Sequence, residues 1–547
     1  MAGDEGNSYA GRWVARLRGR IVAQGGTPEQ ARRAAQSRFK EAAEIAFVPL
    51  AYPLEFPAIL ASVRAALPAD LKVYLVGGAV RDLLLRRTTH DLDFTLAKDA
   101  IKLARRVANS LKADFYSLDV ERDTGRVVVN VENEPRTFLD FAAFRGADLE
   151  ADLLGRDFSL NAIALDLGDH SLHDPLDGVS DLQKNWLRAC SASSFTDDSV
   201  RILRGVRLAA AFGFRLLPET RWLMKEAASL LVNISPERLR DELFRMLDGP
   251  KPAACLRSLD QLGALEHILP EVPALKGAAQ RPPHVSDVWE HTLSVVNHLE
   301  SILAALQPQY DADKASDWHN GLMVLRIGRY RQSLGGHLST ELSPGRTTRS
   351  LLFMAALYHD VAKPQARSVD EKGQLRFWGH DQLGAQTAAR RGRALMLSND
   401  ELKRLESIVK DHMRIHHLTN RLIGEGKPPT RRAIYRFFRQ TGPAGVDICL
   451  LSLADLRATY EQTLPQETWA ACLDVVRLML EAWFERREEE VSPQPLIDGN
   501  ELLQEFSLQP GPLVGRLIES IREAQAAGEV STREEALALA RKKLRDK

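Results

Sequence analysis

Between about residues 55 and 190 the apolar positions fall into short runs with two alternating periods. Val73-Tyr74-Leu75-Val76 is an apolar run that stops at Gly77-Gly78, and a run of that length before a turn signal reads as a strand. A helix follows from near Ala79, and then Asp91-Leu92-Asp93-Phe94 alternates polar with apolar, the period of a strand with one solvated face. The pattern next predicts a helix over Ala97 to Leu111. Strands follow near Asp114-Phe115-Tyr116, over Arg126-Val127-Val128-Val129 and over Thr137-Phe138-Leu139-Asp140-Phe141. The polar segment from Asp119 to Gly125 between the first two of these strands reads as a mobile loop.

From about residue 191 the period becomes helical. Phe195 to Arg207 opens a helix with acidic residues in its first turn, which suits the positive end of the helix dipole. Ser235 to Leu243 is amphipathic, Leu351 to Leu357 is an apolar helix, and Arg431 to Arg439 is basic and aromatic. Arg432, Arg436 and Arg439 share a face there, which either follows an RNA backbone or is simply solvated. Arg12 to Phe47 is Ala- and Arg-rich and reads as helical, and residues 307–349 read as a polar insertion. The pattern predicts an α+β chain: an α/β head with a mixed sheet, then mostly helices.

Composition narrows this picture. A chain of 547 residues suggests several domains. Lys+Arg and Asp+Glu are equal at 73 each, so a nucleic-acid surface has to be a local patch. Cys190, Cys255, Cys449 and Cys472 are far apart and form no Cys-X-X-Cys, which argues against a disulfide framework or a zinc ribbon and for a cytoplasmic setting. No apolar run reaches the length of a membrane span.

Chemistry is concentrated in two places. Gly77-Gly78 lets a ligand approach the backbone, and the helix after it aims free N–H groups at the turn, which suits a phosphate. Asp91 and Asp93 face the same side of their strand and together suit divalent cations bridging a triphosphate. Asp140 reads either as a third acidic group or as an edge-strand Asp. Downstream, His291, His359-Asp360, His380, His412 and Asp455 lie on separate helical segments. Such a set suits a mononuclear or dinuclear metal site.

Gly77-Gly78, Arg81-Asp82 and Asp91-X-Asp93 at this spacing resemble the nucleotidyltransferase superfamily in its bacterial-type second class. That class holds tRNA CCA-adding enzymes, their CC- and A-adding relatives, and bacterial poly(A) polymerases. The resemblance implies catalytic roles for Asp91, Asp93 and Asp140, with Mg²⁺ at the first two. It implies nucleotide contacts by Gly77, Gly78 and Arg81. It implies the same for Arg156, Asp157 and Asn161 in Arg156-Asp157-Phe158-Ser159-Leu160-Asn161, although the family's first arginine is Gly155 here. Asp197-Asp198-X-X-Arg201 resembles the motif whose Asp and Arg form a protein template for the base, with Arg204 and Arg207 on the same helix. Asp174-Pro175-Leu176-Asp177-Gly178 resembles the turn closing the head. The His and Asp series resembles an HD phosphohydrolase domain holding an unidentified divalent metal, with Lys363 at its phosphate-binding position.

The resemblance implies five regions: a helical extension (1–50), a catalytic head (51–190), a neck for base selection and RNA (191–280), the HD domain (281–485) and a helical tail (496–547) with a possible tRNA contact. The implied activity is template-independent addition of CCA, or part of it, to the 3′ end of tRNA from CTP and ATP. A poly(A) polymerase, or an HD phosphohydrolase with an RNA-binding head, is an alternative.

Overall fold

In the computed structural model, residues 9, 12–18, 20–48, 54, 56–130 and 136–545 are described. The chain forms two compact units, Met1–Val232 and Asn233–Lys547, a division that falls inside the stretch 191–280.

The first unit opens with β1 (Arg12–Leu17), β2 (Arg20–Gly25), α1 (Pro28–Gln36) and β3 (Glu44–Val48). The three strands form an antiparallel sheet in the order β2-β1-β3, so this region is not the helical extension that its Ala and Arg content suggests. Trp13, Val14 and Ala15 are buried in succession, and Trp13 meets Phe47 edge-on at 5.4 Å. Only α1 follows helix propensity, with Thr27 capping it and Pro28 in its first turn.

After α2 (Ala58–Ala66), the head runs β4 (Tyr74–Val76), α3 (Gly78–Leu84), β5 (Asp91–Leu96), α4 (Ala100–Leu111), β6 (Asp114–Asp119), β7 (Thr124–Val129) and β8 (Thr137–Ala143). It closes with α5 (Leu149–Leu154), β9 (Ala164–Asp166), β10 (Leu172–His173) and α6 (Gly178–Gln183), followed by α7 (Ser194–Asp197) and α8 (Arg201–Phe212). The sheet order is β10-β9-β4-β5-β8-β7-β6. Only β5 and β8 pair in parallel, so the sheet is mixed, as the pattern predicts. Leu92, Phe94, Leu139 and Phe141 are buried, and the last two rings of that set, Phe94 and Phe141, stack at 4.7 Å. α4 covers this face so closely that a Cβ on Gly125 would meet Ala104 Cβ at 2.9 Å. The side chains alternating with these, on β5 and β8, are Asp91, Asp93 and Asp140, and the pleat sends them to the other face.

The segment Asp119–Gly125 forms the hairpin that joins β6 and β7. Asp123 accepts hydrogen bonds from the Ala100 and Ile101 N–H groups at 2.7 and 2.9 Å, so it supplies α4 with acceptors that its own N-cap residue does not.

The second unit is helical. Its main elements are α9 (Pro236–Asp248), α10 (Val288–Ala305), α11 (Trp318–Ile327), α12 (Arg331–Ser339), α13 (Thr348–Tyr358), α14 (His380–Ala394), α15 (Asn399–Asp411) and α16 (Met413–Glu425). These are followed by α17 (Arg431–Thr441), α18 (Ala444–Tyr460), α19 (Gln466–Phe484), α20 (Pro512–Ala526) and α21 (Arg533–Arg545). Residues 307–349 are built into this body rather than inserted as a polar loop. Arg457 donates to the buried Asn320 at 2.8 Å, and Trp469 donates to the His319 carbonyl at 3.2 Å. The tail has its own apolar cluster around Leu502, Leu517, Ile521, Ala536 and Ala540. No described helix is long and apolar enough to cross a membrane, and all four cysteines are free thiols.

Candidate functional site

In the head the two conspicuous features of the sequence meet. Gly77 ends β4 with φ +72°, a conformation that favours glycine. A Cβ there would lie 3.2 Å from Asp93 Oδ2 and 3.4 Å from Arg156 Nη1. The turn, the carboxylate and the guanidinium therefore share one small volume. Asp93 pairs in register with Asp140 across the parallel β5–β8 ladder, so Asp140 is not on an edge strand but at the middle of the sheet beside the Asp pair. Burial pushes the Asp93 carboxyl up to about 6, helped by the Asp140 and Asp91 charges and opposed by Arg156 and Arg126. This is a concentration of negative charge that only partly finds cations in the protein.

Two residues of this site were missed in the sequence. Arg126 on β7 grips Asp140 with Nε and Nη2, both at 2.7 Å. Asp152 on α5, 3% exposed, holds Arg156 through Nη2 at 2.9 Å. Their signals were present but weak. Asp152 stands four residues before Arg156, and Arg126 is a charge at an alternating strand position.

Arg81 lies inside the fold at 7% exposure, donating to Asp82 and Asn161 at 2.9 Å, with its plane 4.3 Å from the Phe212 ring. Asn161 donates to Asp157 at 3.0 Å, and Asp157 accepts from Arg204 at 3.2 Å. Burial works against the Asp157 charge, but Arg204, Asn161 and the Phe158 N–H outweigh it and hold the carboxyl below its ordinary range. Arg81, Asn161, Asp157 and Arg204 thus form a brace from α3 to α8, and the Arg81 guanidinium also borders the turn, 3.2 Å from where a Cβ on Gly78 would lie.

Asp198 and Arg201 do not share a helix face as the pattern predicts. α7 ends at Asp197, Asp198 is extended (φ −155°, ψ 95°), and α8 begins at Arg201. The guanidinium is pinned by backbone carbonyls: Nη1 donates to Arg156 and Ser194, and Nη2 donates to Gly155 at 2.9 Å. Arg201 Nε still lies 4.0 Å from Asp198 Oδ2. Arg207 follows six residues on along α8 and is half-buried. Asp174 is 2% exposed, accepts from the Gly178 and Val179 N–H groups at 2.7 and 3.0 Å, and is pushed by burial up to about 7.

In the second unit the His and Asp series converges on Asp360. His359 Nε2 lies 3.1 Å and His291 Nε2 3.6 Å from its Oδ2, while His380 and His412 Nε2 lie 3.4 and 3.8 Å from its Oδ1. Asp455 joins from α18, 3.1 Å from His291. Two groups have metal-ligand spacing, His291-His359-Asp360 and Asp360-His380-His412, so Asp360 belongs to both. The Nδ1 atoms of His359, His380 and His412 donate to the carbonyls of Ala356, Phe377 and Val409 at 2.7, 2.8 and 2.6 Å. Their buried Nε2 atoms make no hydrogen bond among the described residues. Buried polar atoms are rarely left so, and this arrangement leaves a free ring nitrogen on each histidine close to the Asp360 carboxylate, as a metal site requires. Burial and the neighbouring His359 push His412 down to about 3, so it stays neutral and able to ligate. His284 is also pushed down to about 3, by burial and by Lys363. Lys363 Nζ meets Asp360 Oδ2 at 2.6 Å and Gln280 at 2.7 Å. His416, unmarked in the sequence except by its helical spacing from His412, holds Asp455 at 2.8 Å. The site opens into a cavity of about 490 Å³ that Lys363, Arg376, Trp378 and His380 help to line.

A mixed sheet with clustered carboxylates beside a glycine turn, followed by a helical unit with a His–Asp centre, defines a nucleotidyltransferase head coupled to an HD domain. The poly A polymerase head domain family matches residues 73–188, the HD domain family residues 288–455. The family described as the probable RNA and SrmB-binding site of polymerase A matches residues 213–275, and the putative tRNA nucleotidyltransferase domain 2 matches residues 468–540. The chain is 34% identical over 470 residues to the CC-adding tRNA nucleotidyltransferase of Thermus thermophilus, covering 85% of this chain and 92% of the relative. It is 31% identical over 473 residues to the A-adding tRNA nucleotidyltransferase of Deinococcus radiodurans, covering 85% and 94%. Among solved structures, a CCA-adding enzyme in complex with CTP aligns with a TM-score of 0.57 at 19% identity, covering 90% of this chain and 96% of that one. The Thermotoga maritima CCA-adding enzyme complexed with tRNA gives 0.54 at 19% identity, covering 90% and 97%. The chain belongs to the tRNA nucleotidyltransferase and poly(A) polymerase family.

Proposed function

We propose that this protein adds all or part of the terminal CCA to the 3′ end of tRNA, using CTP and ATP and releasing pyrophosphate. The observation that carries the reading is the meeting of the Gly77 turn, Asp93 and Arg156 beside Asp140. Asp91 and Asp93, with Asp140, would hold Mg²⁺, which supplies charge neutralisation at the triphosphate and an acidified 3′-hydroxyl. The carboxylate-rich face fits that cation. The Gly77-Gly78 turn admits the triphosphate close to the backbone, and Arg156, oriented by Asp152, donates to its oxygens. Arg81, Asp157, Asn161 and Arg204 position these groups from beneath. Asp198 accepts from an exocyclic amino group while Arg201 donates to the neighbouring ring nitrogen. Adenine and cytosine offer that pair, whereas guanine and uracil present the reverse. A cytoplasmic location is part of the same reading, consistent with a tRNA substrate and free thiols.

The test offers tRNA lacking CCA, tRNA lacking only the final A, and an unrelated RNA, each with CTP, ATP or both. Products are sized to single nucleotides. Addition of C, of A or of all three to tRNA supports the proposal and fixes its scope. Extension of the unrelated RNA with ATP alone, or no extension of any tRNA, overturns it.

A second activity at the HD centre is supported by the unpartnered Nε2 atoms around Asp360. His291, His359, Asp360, His380, His412 and Asp455 would hold one or two divalent ions, and Lys363 would face a phosphate ester in the adjoining cavity. Metal content and phosphatase or cyclic phosphodiesterase activity should fall together in His359→Ala, with nucleotide addition spared. Equal metal content in wild type and a His359→Ala, Asp360→Ala double variant overturns the centre.

A further inference from the structure

The sheet order places the elements for a triphosphate on one side of the carboxylates only. The Gly77 turn ends β4, which flanks β5 on the side away from β8, and Arg156 reaches that turn. In-line phosphoryl transfer requires the attacking hydroxyl opposite the leaving pyrophosphate. The incoming strand must therefore approach over β8, β7 and β6. On that side one cross-strand row carries Asp93, Asp140, Arg126 and Tyr116 in register, each paired with the next. Phe138 lies in the adjacent row beside Asp91, with the Arg126 guanidinium 5.2 Å from its ring. Tyr116 is 55% exposed, and Leu118 on the same edge strand is 48% exposed. An exposed aromatic on an edge strand facing the same way as catalytic carboxylates has no packing role to explain it.

We propose that Tyr116, with Arg126 and Phe138, forms the subsite for the 3′-terminal end of the RNA, Tyr116 as a stacking platform for a base and Arg126 as a phosphate contact. The inference rests on the nucleotidyltransferase reading above. The spans agree. Three strand spacings separate Asp93 from Tyr116, about 14 Å, which is the reach of a terminal nucleotide and its neighbour when the 3′-hydroxyl is at the carboxylates. Asp140 takes Arg126 through Nε and Nη2, and Nη1 remains to donate to a phosphate. Every base has a face that stacks on an aromatic ring, so the subsite tolerates the change of terminal base that successive additions produce.

The test uses the full-length protein with Tyr116→Ala and Tyr116→Phe. KM is measured separately for tRNA and for CTP or ATP, and a tRNA carrying 2-aminopurine at its 3′-terminal position reports stacking by fluorescence. Tyr116→Ala should raise KM for tRNA about tenfold and lose the quench seen with wild type. KM for the nucleotide should stay near wild type, and Tyr116→Phe should restore both readouts. Unchanged KM for tRNA together with an unchanged quench in Tyr116→Ala overturns the subsite, as does a fall in kcat alone. If wild type adds no nucleotide, the activity reading fails, while the fluorescence still decides whether the RNA end stacks on Tyr116.

Discussion

Asp93 holds a proton more tightly in the folded protein than a free aspartate does. Its carboxyl sits at about 6 because burial and the Asp140 and Asp91 charges oppose ionisation. A carboxylate must be deprotonated to bind a cation. The rate of nucleotide addition at limiting Mg²⁺ should therefore fall as pH drops through about 6, and Mg²⁺ should shift that limb downward; a limb insensitive to Mg²⁺ would count against it. The same shift has a stability sign. The folded state is the better proton acceptor, so ionised Asp93 destabilises the metal-free protein above about pH 6 and costs nothing below the ordinary carboxylate range. Asp93→Asn should raise the melting temperature of the metal-free protein at pH 8, lose that advantage near pH 4, and abolish nucleotide addition at both. The proposed function assigns base choice to a second pair, Asp198 and Arg201. Asp198→Ala and Arg201→Ala should each erode discrimination against GTP and UTP, roughly ten- to hundredfold per lost contact, with kinetics on all four nucleotides as the measure. Arg201→Ala should also raise KM for every nucleotide, because its guanidinium ties the carbonyls of Gly155 and Arg156. At this scale the sequence exposed the carboxylate pair and the glycine turn that the fold brings together, since Asp91-X-Asp93 and Gly77-Gly78 are local patterns. Arg126 and Asp152 are placed by their pairing with Asp140 and Arg156, and such partners are set by register and packing.

Among elements, the strands and helices of the head were legible because each carries its own period, while the N-terminal sheet was not. Its strands are five or six residues long, and in so short a window Ala and Arg content outweighs alternation. What the period cannot reveal is how elements are joined. Asp123 in the β6–β7 hairpin supplies the acceptors for the start of α4, and Asp123→Ala should cost about 1 kcal/mol in chemical denaturation. Gly178 is a stricter joint: a Cβ there would lie 2.1 Å from the Ser159 carbonyl oxygen. Gly178→Ala should lower stability by about 1–3 kcal/mol and reduce activity, since Ser159 lies between Asp157 and Asn161. The basic helix α17 is a case where the elements chose a different partner from the one its charge suggests. Arg432 and Arg436 reach Glu523 at 3.1 and 2.6 Å, and Arg439 reaches Glu519 at 3.0 Å, so the face read as an RNA track docks α20 of the tail.

For the whole molecule, the two candidate sites lie in separate compact units. Variants should therefore sort cleanly: Asp91→Ala loses nucleotide addition and keeps the HD activity, and His359→Ala does the reverse. Loss of both activities in either variant with folding intact would refute that independence. Tail docking depends on exposed ion pairs, each worth about 0.2–1 kcal/mol and screened by salt. Glu519→Lys with Glu523→Lys should accelerate proteolytic cleavage in the Ser492–Pro495 stretch, an effect that high salt should mimic in wild type.

Three histidines of the HD centre share a local device: His359, His380 and His412 each donate Nδ1–H to a carbonyl three residues earlier. Each ring therefore has its tautomer fixed by its own turn of chain before any neighbour arrives. A centre assembled from such parts has little to rearrange on capture of an ion. Chelation followed by re-addition of metal should be rapid and fully reversible, and nitrogen chemical shifts of the apo protein should already report protonation at Nδ1 in all three rings. The memory of the ion is carried by the backbone.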